Sequence, residues 1–137
     1  MWKRMGAEAG QDLVEYALVL PLFLLLSMSI FEFGILYFQY STVSNAAREA
    51  ARAGIIPSTA ACDDNCVCDR VEAAARSLTV GLVQDNLDVT CEFLSAGVAV
   101  RVNVEYHTEF ISRMLIDAVG GNGEVNLQST ATMQREN

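Results

Sequence analysis

Four cysteines, one histidine and one carboxylate at the rim of an apolar run are the residues whose types and spacing could do chemistry here. Cys62, Cys66 and Cys68 fall in PSTAACDDNCVC (57–68), and Cys91 falls in NLDVTCEFL (86–94). Thiols so placed can oxidise to disulfides or hold zinc. The C-x3-C-x-C run is poor for structural zinc, which favours well-separated C-x2–4-C pairs, and an even number of cysteines beyond an apolar segment fits an oxidising compartment. Disulfides are therefore expected. One residue separates Cys66 from Cys68, so a bond between them would be strained. That leaves two pairings open: Cys62 with Cys66 and Cys68 with Cys91, or Cys62 with Cys68 and Cys66 with Cys91. The longer link closes a loop of more than about 20 residues and contributes a few kcal/mol.

His107 is the only histidine and lies at the end of a strand-like stretch, on its polar side. No serine or cysteine has an identifiable base, so no catalytic residue is expected. The acids of DDNCVCD (63–69) lack the calcium-loop pattern of an EF-hand and read as solvated loop residues. Neither a metal nor a cofactor is expected. The remaining candidate is Glu15, in GQDLVEYALVLP (10–21). A carboxylate at the edge of a segment suited to lipid is costly unless paired, and such residues are functional candidates by default. It also lies where a negative charge suits a helix start.

The elements that position these groups follow from the patterning. The chain has 137 residues, 52% of them hydrophobic, and the excess is concentrated. No charge occurs from Tyr16 to Phe31, and apolar residues resume past Glu32 through Phe38. A bilayer core needs roughly 20 mostly apolar helical residues, and the stretch from Tyr16 to Phe38 meets that length. Glu32 then either falls near the outer headgroups, where the helix leaves the bilayer, or pairs with a partner helix. Lys3 and Arg4 precede the span, and no further Lys or Arg occurs before Arg48, which predicts a cytoplasmic N-terminus and an exported C-terminal domain. The formal net charge of −8 argues against a nucleic-acid partner, which would need clustered cations.

The helix is predicted to continue beyond the membrane, from about Asp12 to about Ile55, roughly 65 Å at the usual rise. Its later part, SNAAREAARAG (44–54), carries a narrow face of Val43, Ala46, Ala47, Ala50, Ala53 and Gly54, with Glu49 and Arg52 on a wetter side. Pro21 lies inside the helix and predicts a bend there. A second helix is expected over about 69–83, with Asp69 and Glu72 close to a capping box and Val71, Ala74, Ala75, Leu78 and Leu82 as its apolar face. The period then changes to two. Leu87, Val89, Cys91 and Phe93; Val98, Val100, Val102, Val104 and Tyr106; and Val125, Leu127, Ser129, Ala131 and Met133 form three alternating rows, the signature of half-buried strands. SAG (95–97) reads as a hairpin turn and EFISRMLID (109–117) as a short helix. The expectation is an α+β protein: a long N-terminal transmembrane helix, a second helix and a three-stranded antiparallel sheet.

GQDLVEYALVLPLFLLL (10–26), FEFG (31–34), NAAREAARAG (45–54) and STATMQRE (129–136) together resemble the TadE-like family of pseudopilins from tight-adherence (Tad/Flp, type IVc) pilus systems, most strongly from Gly10 to Gly54. The resemblance implies a pilin-like protein with three parts: a cytoplasmic leader at 1–10, a long helix at 11–56 that spans the inner membrane in its first half, and a disulfide-stabilised periplasmic domain at 57–137. It implies that a prepilin peptidase cuts between Gly10 and Gln11. Glu15, with the aromatic Tyr16 beside it, would then pair with the new N-terminal amine of a neighbouring subunit. The implied partners are that peptidase, other pilins and pseudopilins, the inner-membrane assembly platform and, before assembly, membrane lipid. The implied role is that of a minor pilin in a surface-attachment fibre (fimbrium). The alternative is a periplasmic domain on an uncleaved signal anchor, which would keep its first ten residues and would not need Glu15.

Overall fold

The computed structural model describes residues 6–56, 64–94 and 99–134. The elements in chain order are α1 (Gly6–Ile55), α2 (Asp64–Leu78), β1 (Leu87–Leu94), β2 (Ala99–Glu109), α3 (Arg113–Ala118) and β3 (Glu124–Gln134), with a single 3-10 turn at Gln84–Asn86. This is the expected α+β order. The chain divides into two compact units, Met1–Ile35 and Leu36–Asn137.

In the first unit, α1 is helical from Gly6 onward, Pro21 included. It therefore begins before Asp12 and takes in Gly10. Its apolar side chains are exposed all round: Leu13, Leu18, Leu22, Phe23, Leu26, Ile30 and Phe31 lie on every face of the helix. α1 is long and apolar enough to cross a membrane, and its most apolar stretch has no buried residue. A helix hydrophobic on all sides is the kind that a membrane or a protein core buries. The Ser29 hydroxyl donates to the Leu25 carbonyl at 2.9 Å, which satisfies a polar group within the apolar run by a local bond.

In the second unit, β1, β2 and β3 form an antiparallel meander in the order β1-β2-β3. Leu87 faces Tyr106 across β1–β2, and Tyr106 faces Leu127 across β2–β3. This register brings the three apolar rows to one face. Val100, Val102, Val104 and Tyr106 of the central strand are buried, whereas the rows of β1 and β3 are, Leu87 aside, only half-buried. Val43, Ala47, Ala50 and Ala51 of α1, together with Val67, Val71 and Ala75 of α2, complete the core. The predicted small-residue face of α1 is thus the packing face, except that Ala51 is buried and Ala53 is half-exposed.

α2 departs from the expected 69–83. It starts at Asp64, which supplies an acid in the first turn, and so Cys66 and Cys68 are helical. The earlier turn brings Val67 onto the Val71–Ala75 face and buries it, and that burial favours extending the helix back toward the cysteines. Asp69 is mid-helix and caps nothing. Glu72 instead accepts from Arg76 Nε at 2.9 Å, an i,i+4 pair. The helix stops at Leu78 because the chain turns at Thr79–Gly81. The buried Thr79 donates to the Arg76 carbonyl at 3.0 Å, the Leu82 N–H donates to the Thr79 carbonyl, and Gly81 holds φ +91°, a conformation that glycine adopts without penalty. Leu78 is exposed, and Leu82 reaches the core from the loop. Likewise α3 covers Arg113–Ala118 rather than 109–117, because β2 continues to Glu109. The expected turn at 95–97 lies outside the described residues.

Candidate functional site

Gly10 and Gln11 lie within α1, followed one turn later by Glu15 and Tyr16. Gly10 is exposed. A Cβ added there would meet nothing within 4 Å, and its backbone is ordinary helix. Neither crowding nor conformation in the folded chain requires glycine at this position, and glycine is a poor helix residue. Asp12, Glu15, Tyr16 and Val19 follow at i, i+3, i+4 and i+7 and line one shallow depression along the helix. Two carboxylates and a phenol ring therefore share one face at the threshold of the apolar run. Glu15 and Tyr16 are both exposed, Tyr16 at 75%. Farther along, Glu32 is half-buried and engaged.

The cysteine cluster resolves one of the open pairings. Cys68 of α2 is bonded to Cys91 of β1, with 5.7 Å between Cα atoms. The bond ties the first turns of the helix to the middle of the edge strand, beside Val89 and Phe93 on the core side. Cys66 is also disulfide-bonded. Cys62 lies outside the described residues.

His107 sits on the polar face of the sheet. Its Nδ1 is 2.7 Å from Asn126 Oδ1, and its Nε2 is 3.4 Å from Asp88 Oδ2. The three groups are held in line by the register Asp88↔Glu105 and His107↔Asn126. Next along the face, Asn103 Oδ1 accepts from Gln128 Nε2 at 3.0 Å and from Thr130 Oγ1 at 2.9 Å. These cross-strand bonds knit the outer face together.

One polar cluster was missed in the sequence. Arg113 bonds Glu109, lies 3.5 Å from Asp117 Oδ2 and 3.4 Å from Glu124 Oε1, and is held more firmly protonated by its hydrogen bond to Glu109 and by the charges around it. The signal was present as Glu109, Arg113 and Asp117 at successive i,i+4 spacings. Glu124 joins them only through the strand register. The clamp holds α3 against the start of β3, with Ile111, Met114, Leu115 and Val119 turned outward.

No curated protein and no solved structure matches the chain. The family model described as TadE-like protein matches residues 10–52. That match opens at Gly10, takes in Glu15, Tyr16 and Pro21, and ends within the small-residue face of α1, so it is in this N-terminal helix that the chain is similar to TadE-like proteins.

Proposed function

We propose that this chain is a minor pilin that takes part in assembling or initiating a tight-adherence pilus, after a prepilin peptidase removes its first ten residues. The observation that carries the reading is the beginning of the family match at Gly10, a glycine for which the folded helix has no use. A peptidase does have a use for it, because a residue without Cβ lets the backbone extend in a tight site. Cleavage places a cationic amine on Gln11, four residues before Glu15 and on its side of the helix. In lipid, an unpaired Glu15 carboxylate is costly. A neighbouring subunit's amine relieves that cost only when the two helices are correctly staggered, since a misregistered pair leaves a charge buried and alone.

The all-round apolar surface of α1 supports storage in the membrane before assembly, with the N-terminus in the cytoplasm and the second unit in the periplasm. The partners are then the peptidase, other pilins and the inner-membrane platform. The role is structural rather than catalytic, and no cofactor is called on. His107, engaged by Asn126 and Asp88, serves the sheet.

The test is co-expression with a prepilin peptidase. The expected product starts at Gln11 by N-terminal sequencing. Full-length protein in that experiment and in the native host would favour an uncleaved signal anchor. Glu15→Ala should remain stable in the membrane and abolish piliation, and normal fibres from that variant would sink the charge-register mechanism.

A further inference from the structure

β3 is an edge strand of eleven residues, EVNLQSTATMQ. Its only charge is Glu124, its first residue, and it holds no lysine or proline. Exposed sheet edges are normally blunted by charge, proline or a bulge, because their free backbone groups template pairing with another strand. β1, the opposite edge, carries Asp88 and Glu92. From Val125 to Gln134 nothing of the kind interrupts β3.

The backbone of that edge can be read from the register. The Phe110 N–H donates to the Gly123 carbonyl at 2.9 Å, and Thr108 is opposite Val125. Hydrogen-bonded pairs alternate in an antiparallel ladder, so Val125, Leu127, Ser129, Ala131 and Met133 bond to β2. Asn126, Gln128, Thr130 and Thr132 turn their N–H and C=O groups away from it. The Glu124 N–H, first of the outward set, is taken by Asn122 Oδ1 at 3.2 Å. Among the described residues no hydrogen bond reaches the outward backbone of the other four. The core is also open here. Every residue of the inward row of β3 is half-buried, while Val100, Val102, Val104 and Tyr106 opposite Met133, Ala131, Ser129 and Leu127 are buried.

We propose that this edge pairs with β3 of a second copy of the chain, antiparallel and centred on Ser129. In that register the outward-bonding residues meet each other, Gln128 with Thr130 and Asn126 with Thr132. On the core side Leu127 meets Ala131, Val125 meets Met133, and the two Ser129 residues meet at the two-fold axis. Apolar side chains face apolar ones, hydroxyls face amides, and each Glu124 lies opposite a Gln134, far from its twin. Cross-strand pairs of this kind are what stabilise a sheet, and a two-fold interface must be self-complementary in this way.

The geometry has a directional consequence. The axis of such a pair is perpendicular to the sheet, so whatever lies along the sheet face reverses between copies. Residues 43–54 of α1, packed on that face, run in opposite directions in the two copies.

The test uses the full-length chain in detergent, with Ser129→Cys and, as comparison, Val119→Cys, an exposed position off the strand. Facing residues of a non-hydrogen-bonded pair have Cβ atoms close enough for a disulfide. On mild oxidation Ser129→Cys should give disulfide-linked dimer in excess of Val119→Cys by about tenfold or more, as expected when pairing raises the local thiol concentration. Equal crosslinking of the two, or a monomeric Ser129→Cys, overturns the proposal. Adding Thr132→Pro removes an outward N–H, a change edge strands tolerate. It should return the crosslink to the Val119→Cys level with an unchanged circular dichroism spectrum, and undiminished crosslinking overturns the proposal.

Discussion

Gly54 of α1 lies so close to Val100 of β2 that a Cβ on it would stand 3.0 Å from Val100 Cγ1, and 3.1 Å from Val71 Cγ2 of α2. Both valines are buried, so neither has free space to move into. Gly54→Ala gains roughly 1 kcal/mol of helix propensity against an overpacking cost of about 1–3 kcal/mol, and a net loss of about 1 kcal/mol is expected. Gly54→Leu should cost at least about 3 kcal/mol. Urea denaturation of the second unit, followed by near-ultraviolet circular dichroism, measures both. A Gly54→Leu variant as stable as the parent would refute this packing.

The Cys68–Cys91 bond closes a 23-residue separation. Replacing both cysteines by serine should lower stability by about 2–4 kcal/mol, chiefly by releasing the unfolded chain. Reductant, which also opens the bond at Cys66, should shift the parent's midpoint at least as far, and the Ser/Ser variant should respond to reductant less than the parent does.

Gly123 carries the α3 clamp. A Cβ there would fall 2.6 Å from Arg113 Cγ and 2.9 Å from Arg113 Cα, and a backbone atom cannot swing aside. Gly123→Ala should therefore loosen the whole 110–123 connection, and amide exchange at Phe110 and Gly121 should accelerate by about tenfold or more, a local opening easier by about 1.4 kcal/mol. Arg113→Ala removes only solvent-exposed ion pairs, so global stability should hardly change. A larger effect from Arg113→Ala than from Gly123→Ala would invert this ranking.

The second compact unit starts at Leu36. A fragment of residues 36–137 should remain in the aqueous phase on detergent phase separation, whereas the full chain, with its exposed apolar helix, should partition into detergent. Full-length protein in the aqueous phase would contradict a membrane-embedded α1.

The long helix, the three strands and their inward rows were legible in the sequence because each depends on a local period, and the structure keeps Val43, Ala46, Ala47, Ala50 and Gly54 on one face. The match at 10–52 likewise falls where the motif residues were legible. Less legible was whatever depends on a partner distant in sequence. Val67 gave no sign that the second helix starts five residues early, because its reward is burial against strands that follow it. Glu124 could not be joined to Arg113 without the β2–β3 register. The choice of Cys68 for Cys91 depends on where α2 lies over β1, and spacing alone left both pairings open.

The buried face of α1 has one further consequence, for how this sequence can drift. Ala46, Ala47, Ala50 and Ala51 are fully enclosed, and only glycine is smaller than alanine. At four positions within two turns, almost every substitution is an enlargement, so variation there is lopsided: the interior can be crowded but hardly thinned. Larger cores drift in both directions and repair one change with a neighbour's opposite change. Here that trade is closed on the helix side. Any tolerated growth on α1 must be answered by a smaller residue across the interface, at Val100, Val102 or Val104, and compensating pairs should run in that one direction.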